Sequence, residues 1–144
     1  MGLVFIVMHF IFTANRSLDM KVLFIIAILG VMLDYMNTQF GLISFPGHNA
    51  EHFILPFWLI ALWCSFALIL PHSLFWLAKN IYLASLAGGI GGGFSYLAGH
   101  KLGALSLSEP LMKSGIIYAI EWAIILPLGL CAVKYFLQEP SVVK

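Results

Sequence analysis

The stretch LAGGIGGGFSYLAGH, residues 86–100, decides how the whole chain is read. Five of its glycines fall within residues 88–93. Such a run is either a loop that cradles phosphate or a helix pared down so that another helix can lie against it. A Walker-type loop continues into Gly-Lys-Ser/Thr, and this stretch continues into Gly93-Phe94-Ser95. The dinucleotide fingerprint G-x-G-x-x-G starts at Gly89-Ile90-Gly91 but meets Phe94 where its last glycine belongs. Gly88 and Gly92 are four residues apart, as are Gly89 and Gly93. That is the small-xxx-small spacing that lets helix backbones approach in lipid. Ala84, Gly88, Gly92 and Tyr96 form one stripe at helical spacing, and the reading is a packing helix.

Composition sets the solvent. The chain has 144 residues, of which 62% are hydrophobic and 9% charged, with a mean hydropathy of +1.01. A soluble domain is about 45–50% apolar and about 25% charged. A chain this short cannot hide so much apolar surface from water, so lipid must be its surroundings. A net charge of +1 gives no reason to expect nucleic acid as a partner. Cys64 and Cys131 sit in apolar runs and read as small buried hydrophobes, not as a disulfide pair.

A bilayer core about 30 Å thick takes about 20 helical residues to cross. By that measure the chain is an all-α, polytopic transmembrane bundle and a single integral membrane domain over residues 1–144. It has four full spans, near residues 22–40, 53–77, 81–99 and 111–134. A shorter apolar segment near residues 2–14 precedes them. This segment is read as a span whose beginning is missing, the alternative being a short interfacial helix. Arg16, Lys21, Lys79, Lys134 and Lys144 fall on one side of the expected topology, and Lys101 and Lys113 on the other. The positive-inside rule then puts the C-terminus in the cytoplasm.

Polar residues inside the spans need partners, because an ionisable group at mid-bilayer costs at least about 2.5–3.5 kcal/mol. Asp34, His72 and Glu121 are such residues, and His9 is expected at a depth like that of His72. Ala27, Gly30, Asp34, Asn37, Thr38 and Gly41 recur at three- and four-residue steps, as do Ser114, Tyr118 and Glu121. Trp58, Ala61, Ser65, His72 and Trp76 suggest a third stripe. Depth arithmetic places Asp34 and Glu121 in the external half, near Tyr96 and Trp63, with His72 toward the cytoplasmic end. The substrate-binding or proton-linked candidates are therefore Asp34, Trp63, His72, Tyr96 and Glu121. Gly88, Gly89, Gly92 and Gly93 are assigned to helix packing. The stripes either join helices by hydrogen bonds or line a site, and the residues leave both open. Pro71 interrupts the helix beside His72 and cannot donate to the carbonyl of Ala67.

His48-Asn49-Ala50-Glu51-His52 spells H-x-x-E-H, an inverted zinc-protease pattern. It follows Pro46-Gly47 in an external loop of a chain too small for a protease lobe, and is read as an ordinary polar loop. Neither a metal, a cofactor nor a catalytic residue is expected.

Several short motifs occur in a telling order. They are Leu33-Asp34, then Pro56-x-Trp58 with Leu62-Trp63-x-x-Phe66-Ala67, then His72-Ser73-Leu74-x-Trp76-Leu77. Next come Gly91-Gly92-x-x-Ser95-Tyr96-x-Ala98-Gly99, Leu102-Gly103-Ala104, and Glu121-Trp122-Ala123 before Pro127. In this order the chain resembles a family of small bacterial inner-membrane proteins, domain of unknown function 2878. Gly93 stands where the family pattern has proline, and the H-x-x-E-H loop is not part of that pattern. The resemblance implies a multi-pass protein of the bacterial cytoplasmic (inner) membrane and supplies no reaction. The partners that remain are membrane lipids, a lipid-like ligand and a second copy of the chain. The leading functional class is a membrane-embedded binding or accessory protein for a lipid-like substrate. A small proton-coupled transporter comes next, and a membrane enzyme after that.

Overall fold

The computed structural model describes residues 2–47, 55–108 and 110–138. Among the described residues five α-helices carry the fold. α1 (Gly2–Phe12) turns back into α2 (Arg16–Gln39), and α3 (Phe57–Ile69) comes next. α4 (Ile81–Lys101) and α5 (Leu111–Gln138) complete the bundle. The side chain of Asn15 accepts from the Leu18 N–H at 3.2 Å and so caps α2. Asn80 caps α4 in the same way, accepting from Tyr82 and Leu83. These caps place α2 six residues ahead of the expected start at Val22. The charged residues that looked like a boundary lie inside its first turns. A two-stranded antiparallel ladder, β1 (Ile43–Ser44) with β2 (Ser106–Leu107), ties the two loops at one end together.

Among the described residues three stretches, Phe57–Lys79, Ile81–Lys101 and Leu111–Gln138, are long and apolar enough to cross a membrane. The first of them is not one regular helix. Pro71 lacks an N–H, and after Ile69 the chain passes through a π-turn, Leu70–Leu74, and a 3-10 turn, Phe75–Lys79. This break rotates the side chains beyond it. Trp58 and Trp76, both expected on an inward stripe, are 44% and 59% exposed; the buried face of α3 is that of Leu59, Trp63 and Ala67, with Trp63 at the centre, 1% exposed.

The outer faces of the helices are apolar, and a few polar side chains are buried within. Ile116, Ile120, Ile124 and Leu128 recur every fourth residue along the outer face of α5, each more than half exposed. Leu86, Ile90 and Phe94 do the same on α4, and Phe24, Ile28 and Met32 on α2. Asp19, Asp34, Asn37 and Ser114 are buried. A large exposed apolar surface, with carboxylates and an amide buried inside, fits lipid as the surrounding solvent.

α4 lies along α5, α3 packs on α2, and α1 on α3. The α4–α5 seam is close. A Cβ added at Gly88 would stand 2.3 Å from the Trp122 carbonyl oxygen, and one at Gly89 3.0 Å from that of Ala119. At Gly92 it would fall 2.0 Å from the Trp122 indole, and at Gly93 3.2 Å from the Ala119 Cβ. Two apolar cores result. One joins Val22, Ala67, Leu70, Leu130 and Val133 at the basic end. The other joins Ile43, Leu59, Trp63, Tyr96, Leu107 and Tyr118 at the ladder end. Cys64 and Cys131 are free thiols, the first half-buried and the second exposed.

Candidate functional site

At the ladder end the centre is Asp34 on α2. Its Oδ2 accepts from the Trp63 indole N–H at 2.6 Å, and its Oδ1 from the Tyr96 hydroxyl at 2.6 Å. Three helices thus meet on one carboxylate. Gly30, one turn before Asp34, makes the arrangement sterically feasible. A Cβ there would lie 2.0 Å from the Trp63 ring, so the indole rests on bare α2 backbone. Trp63 in turn stacks on Trp122 of α5, with centroids 5.1 Å apart and planes 8° from parallel. Tyr96 stacks on Tyr118 at 3.9 Å.

Glu121 belongs to the neighbouring network. Its Oε2 accepts from the Asn37 amide at 2.9 Å. Asn37 is one turn beyond Asp34 on α2, and Tyr118 is one turn before Glu121 on α5. The Tyr118 hydroxyl is fully enclosed, and among the described residues it is the one buried side-chain polar atom with no partner. The geometry therefore groups Asp34, Trp63 and Tyr96 directly, with Glu121 beside them.

Tyr96 also reaches a cavity of about 460 Å³ between α3 and α4. Leu59, Leu62 and Phe66 of α3 form one wall, and Gly88, Gly91 and Gly92 of α4 the other. Trp122 and Leu126 of α5 close its floor. Its polar lining is sparse, with Ser95 and Tyr96 the hydroxyl bearers. Gly91 faces open space, since a Cβ there would meet nothing within 4 Å. The same glycine run thus serves two faces of α4, a tight seam on α5 and an open groove beneath α3.

His72 does not join this group. It lies at the basic end, where its Nε2 stands 2.8 Å from Asp19 Oδ1. His9 Nε2 is 2.9 Å from Oδ2 of the same carboxylate, to which the Thr13 hydroxyl also donates. Asp19 is fully buried. Asp19 and Thr13 escaped sequence reasoning because a charged residue beside Arg16 and Lys21 reads as the solvated end of a helix. One signal was present in the hairpin. His9 lies three residues before the end of α1 and Asp19 three residues after the start of α2, so a sharp turn brings them level. The H-x-x-E-H loop lies outside the described residues.

One family model, described as a protein of unknown function (DUF2878), matches residues 1–128. No curated protein and no solved structure matches the chain.

Proposed function

The chain belongs to this family of unknown function, and on its own geometry we propose that it is an integral membrane protein that holds a lipid-like ligand in the α3–α4 groove. The supporting observation is the groove itself. Its volume of about 460 Å³ falls in the range of small-molecule sites, roughly 300–1,000 Å³. Its walls are leucine, phenylalanine and bare glycine backbone, which suit an acyl chain and offer little to a soluble polar metabolite. Ser95 and Tyr96 supply the few polar groups that would fix the ligand's orientation. Asp34 and Trp63 position Tyr96 from behind.

In this reading α2 is a fourth span beside the three apolar stretches, and α1 lies against α3. The setting is the bacterial cytoplasmic membrane, with the basic end of the bundle and the C-terminus in the cytoplasm. Membrane lipids both surround the protein and supply its ligand.

Two neighbouring glycines provide the test. Gly91→Leu adds a side chain at the groove from a Cβ position with nothing within 4 Å, whereas the Cβ of Gly92→Leu already falls 2.0 Å from the Trp122 indole. Purified wild-type protein is expected to retain an acyl lipid detectable by native mass spectrometry. Gly91→Leu is expected to lose most of it while melting like the parent. Gly92→Leu should fail to accumulate or melt far lower, an effect that no change at the lipid-facing Leu86 should match. Equal lipid retention in wild type and Gly91→Leu would remove the groove as the site. Proton-linked solute uptake into liposomes, with no bound lipid, would favour a carrier instead.

A further inference from the structure

We propose that His9, Asp19 and His72 form a binding site for a borderline divalent transition metal, of the zinc or cobalt kind, at the basic end of the bundle. Each residue offers one ligand atom, and all of these atoms lie within 4.8 Å of one another. The three come from three segments: α1, the first turn of α2, and the π-turn.

The convergence is specific. Both imidazoles turn the same nitrogen, Nε2, toward one carboxylate, one to each oxygen, at 2.8 and 2.9 Å. Tetrahedral zinc with bonds of about 2.0–2.2 Å holds its ligand atoms roughly 3.3 Å apart. Admitting a cation therefore takes a parting of about half an ångström per contact. A bound cation would be held by both Nε2 atoms and the Asp19 carboxylate.

Other features fit a ligand set better than a fastening between helices. Asp19 is fully buried, and the Thr13 hydroxyl fixes its Oδ2, as orienting partners do for metal-binding carboxylates. The His72 side chain is 42% exposed, which leaves one side of the cluster open for water or a further ligand. His72 arrives there through a π-turn. One extra residue in a turn rotates the downstream side chains by about 100°, and such turns recur at functional sites. Two nitrogen donors and one carboxylate suit zinc, cobalt, iron(II) or manganese. Calcium and magnesium favour all-oxygen sites, and copper(I) favours sulfur.

The test uses the full chain in detergent, purified with a tag free of histidine, stripped with chelator and titrated with cobalt(II). Wild type is expected to bind one equivalent, with the visible d–d absorption of a low-coordinate nitrogen and oxygen site, and zinc should displace it. His9→Ala with His72→Ala should abolish the absorption. His72→Gln alters only a half-exposed side chain, so it should weaken binding while the melting curve of the metal-free protein stays in place. Thr13→Val should reduce affinity about 10–100-fold. His48→Ala with His52→Ala should leave both stoichiometry and spectrum unchanged. The proposal is overturned if no stoichiometric signal appears or if the signal survives loss of both His9 and His72. It is equally overturned if the signal disappears with His48 and His52, which would mark the loop as an adventitious binder.

Discussion

Asp19 and Asp34 stand on the same helix, 15 residues apart (34 minus 19), about 22 Å along its axis at 1.5 Å per residue. Both are buried, 0% and 1% exposed. Each carboxylate is gripped through both oxygens by side chains from other segments. They differ in what grips them. Asp34 is held by an indole and a phenol, and the indole nitrogen is a donor only. Asp19 is held by two imidazoles, whose nitrogens exchange protons and ligate metals. The same residue type thus becomes a fixed anchor at the ladder end and a chemically versatile group at the basic end. Burial alone does not distinguish the two carboxylates; the donors around them do.

The largest effect expected from this contrast is at Asp34. Asp34→Leu strands two buried donors, each costing about 1–3 kcal/mol when unpaired. Together they should lower stability by roughly 2–6 kcal/mol, read as the steepest drop in detergent melting temperature among the polar variants. A melt within a degree or two of wild type would show that the three-helix junction contributes nothing.

Gly30→Ala should come next, at roughly 1–3 kcal/mol, because the new Cβ occupies the seat of the Trp63 ring. Its diagnostic is tryptophan fluorescence. Trp63 should leave the stack on Trp122, and the emission should shift even where the protein still folds. Unchanged emission would mean that α2 and α3 can separate without disturbing the indole.

Thr13→Val tests the other end. It removes one of three donors to Asp19 and leaves both imidazoles, so about 1 kcal/mol should be lost. The loss should not add to that of Asp34→Leu beyond the simple sum, since the two sites are separated by far more than contact distance. A double-mutant cycle measures this, and a coupling above about 0.5 kcal/mol would join the two ends into one network.

The smallest effect is expected from His48→Ala combined with His52→Ala, which should change neither melting temperature nor lipid retention. A large change would make that loop part of the working protein.

Much of this architecture was legible in the residues because its causes are local. Spans arise from runs of about 20 apolar residues, and the inward faces from a period of 3.6. Ala84, Gly88, Gly92 and Tyr96 share a stripe by spacing alone, and all four are buried. Ala27, Gly30, Asp34 and Asn37 are likewise buried along α2. Sequence alone could not say which helix faces which. That glycine seats α4 on α5 while Gly91 opens toward α3 depends on how three axes cross, and no spacing within α4 encodes it. Nor could periodicity be carried through the π- and 3-10 turns after Ile69, where the number of residues per turn changes. His72 reaches Asp19 through those turns, whereas Trp58 and Trp76 lie off the buried face of Leu59, Trp63 and Ala67 on both sides of the break. The meeting of His9, Thr13, Asp19 and His72 was decided only by tertiary structure, because it joins residues up to 63 positions apart (72 minus 9) through one helical turn whose geometry is not α.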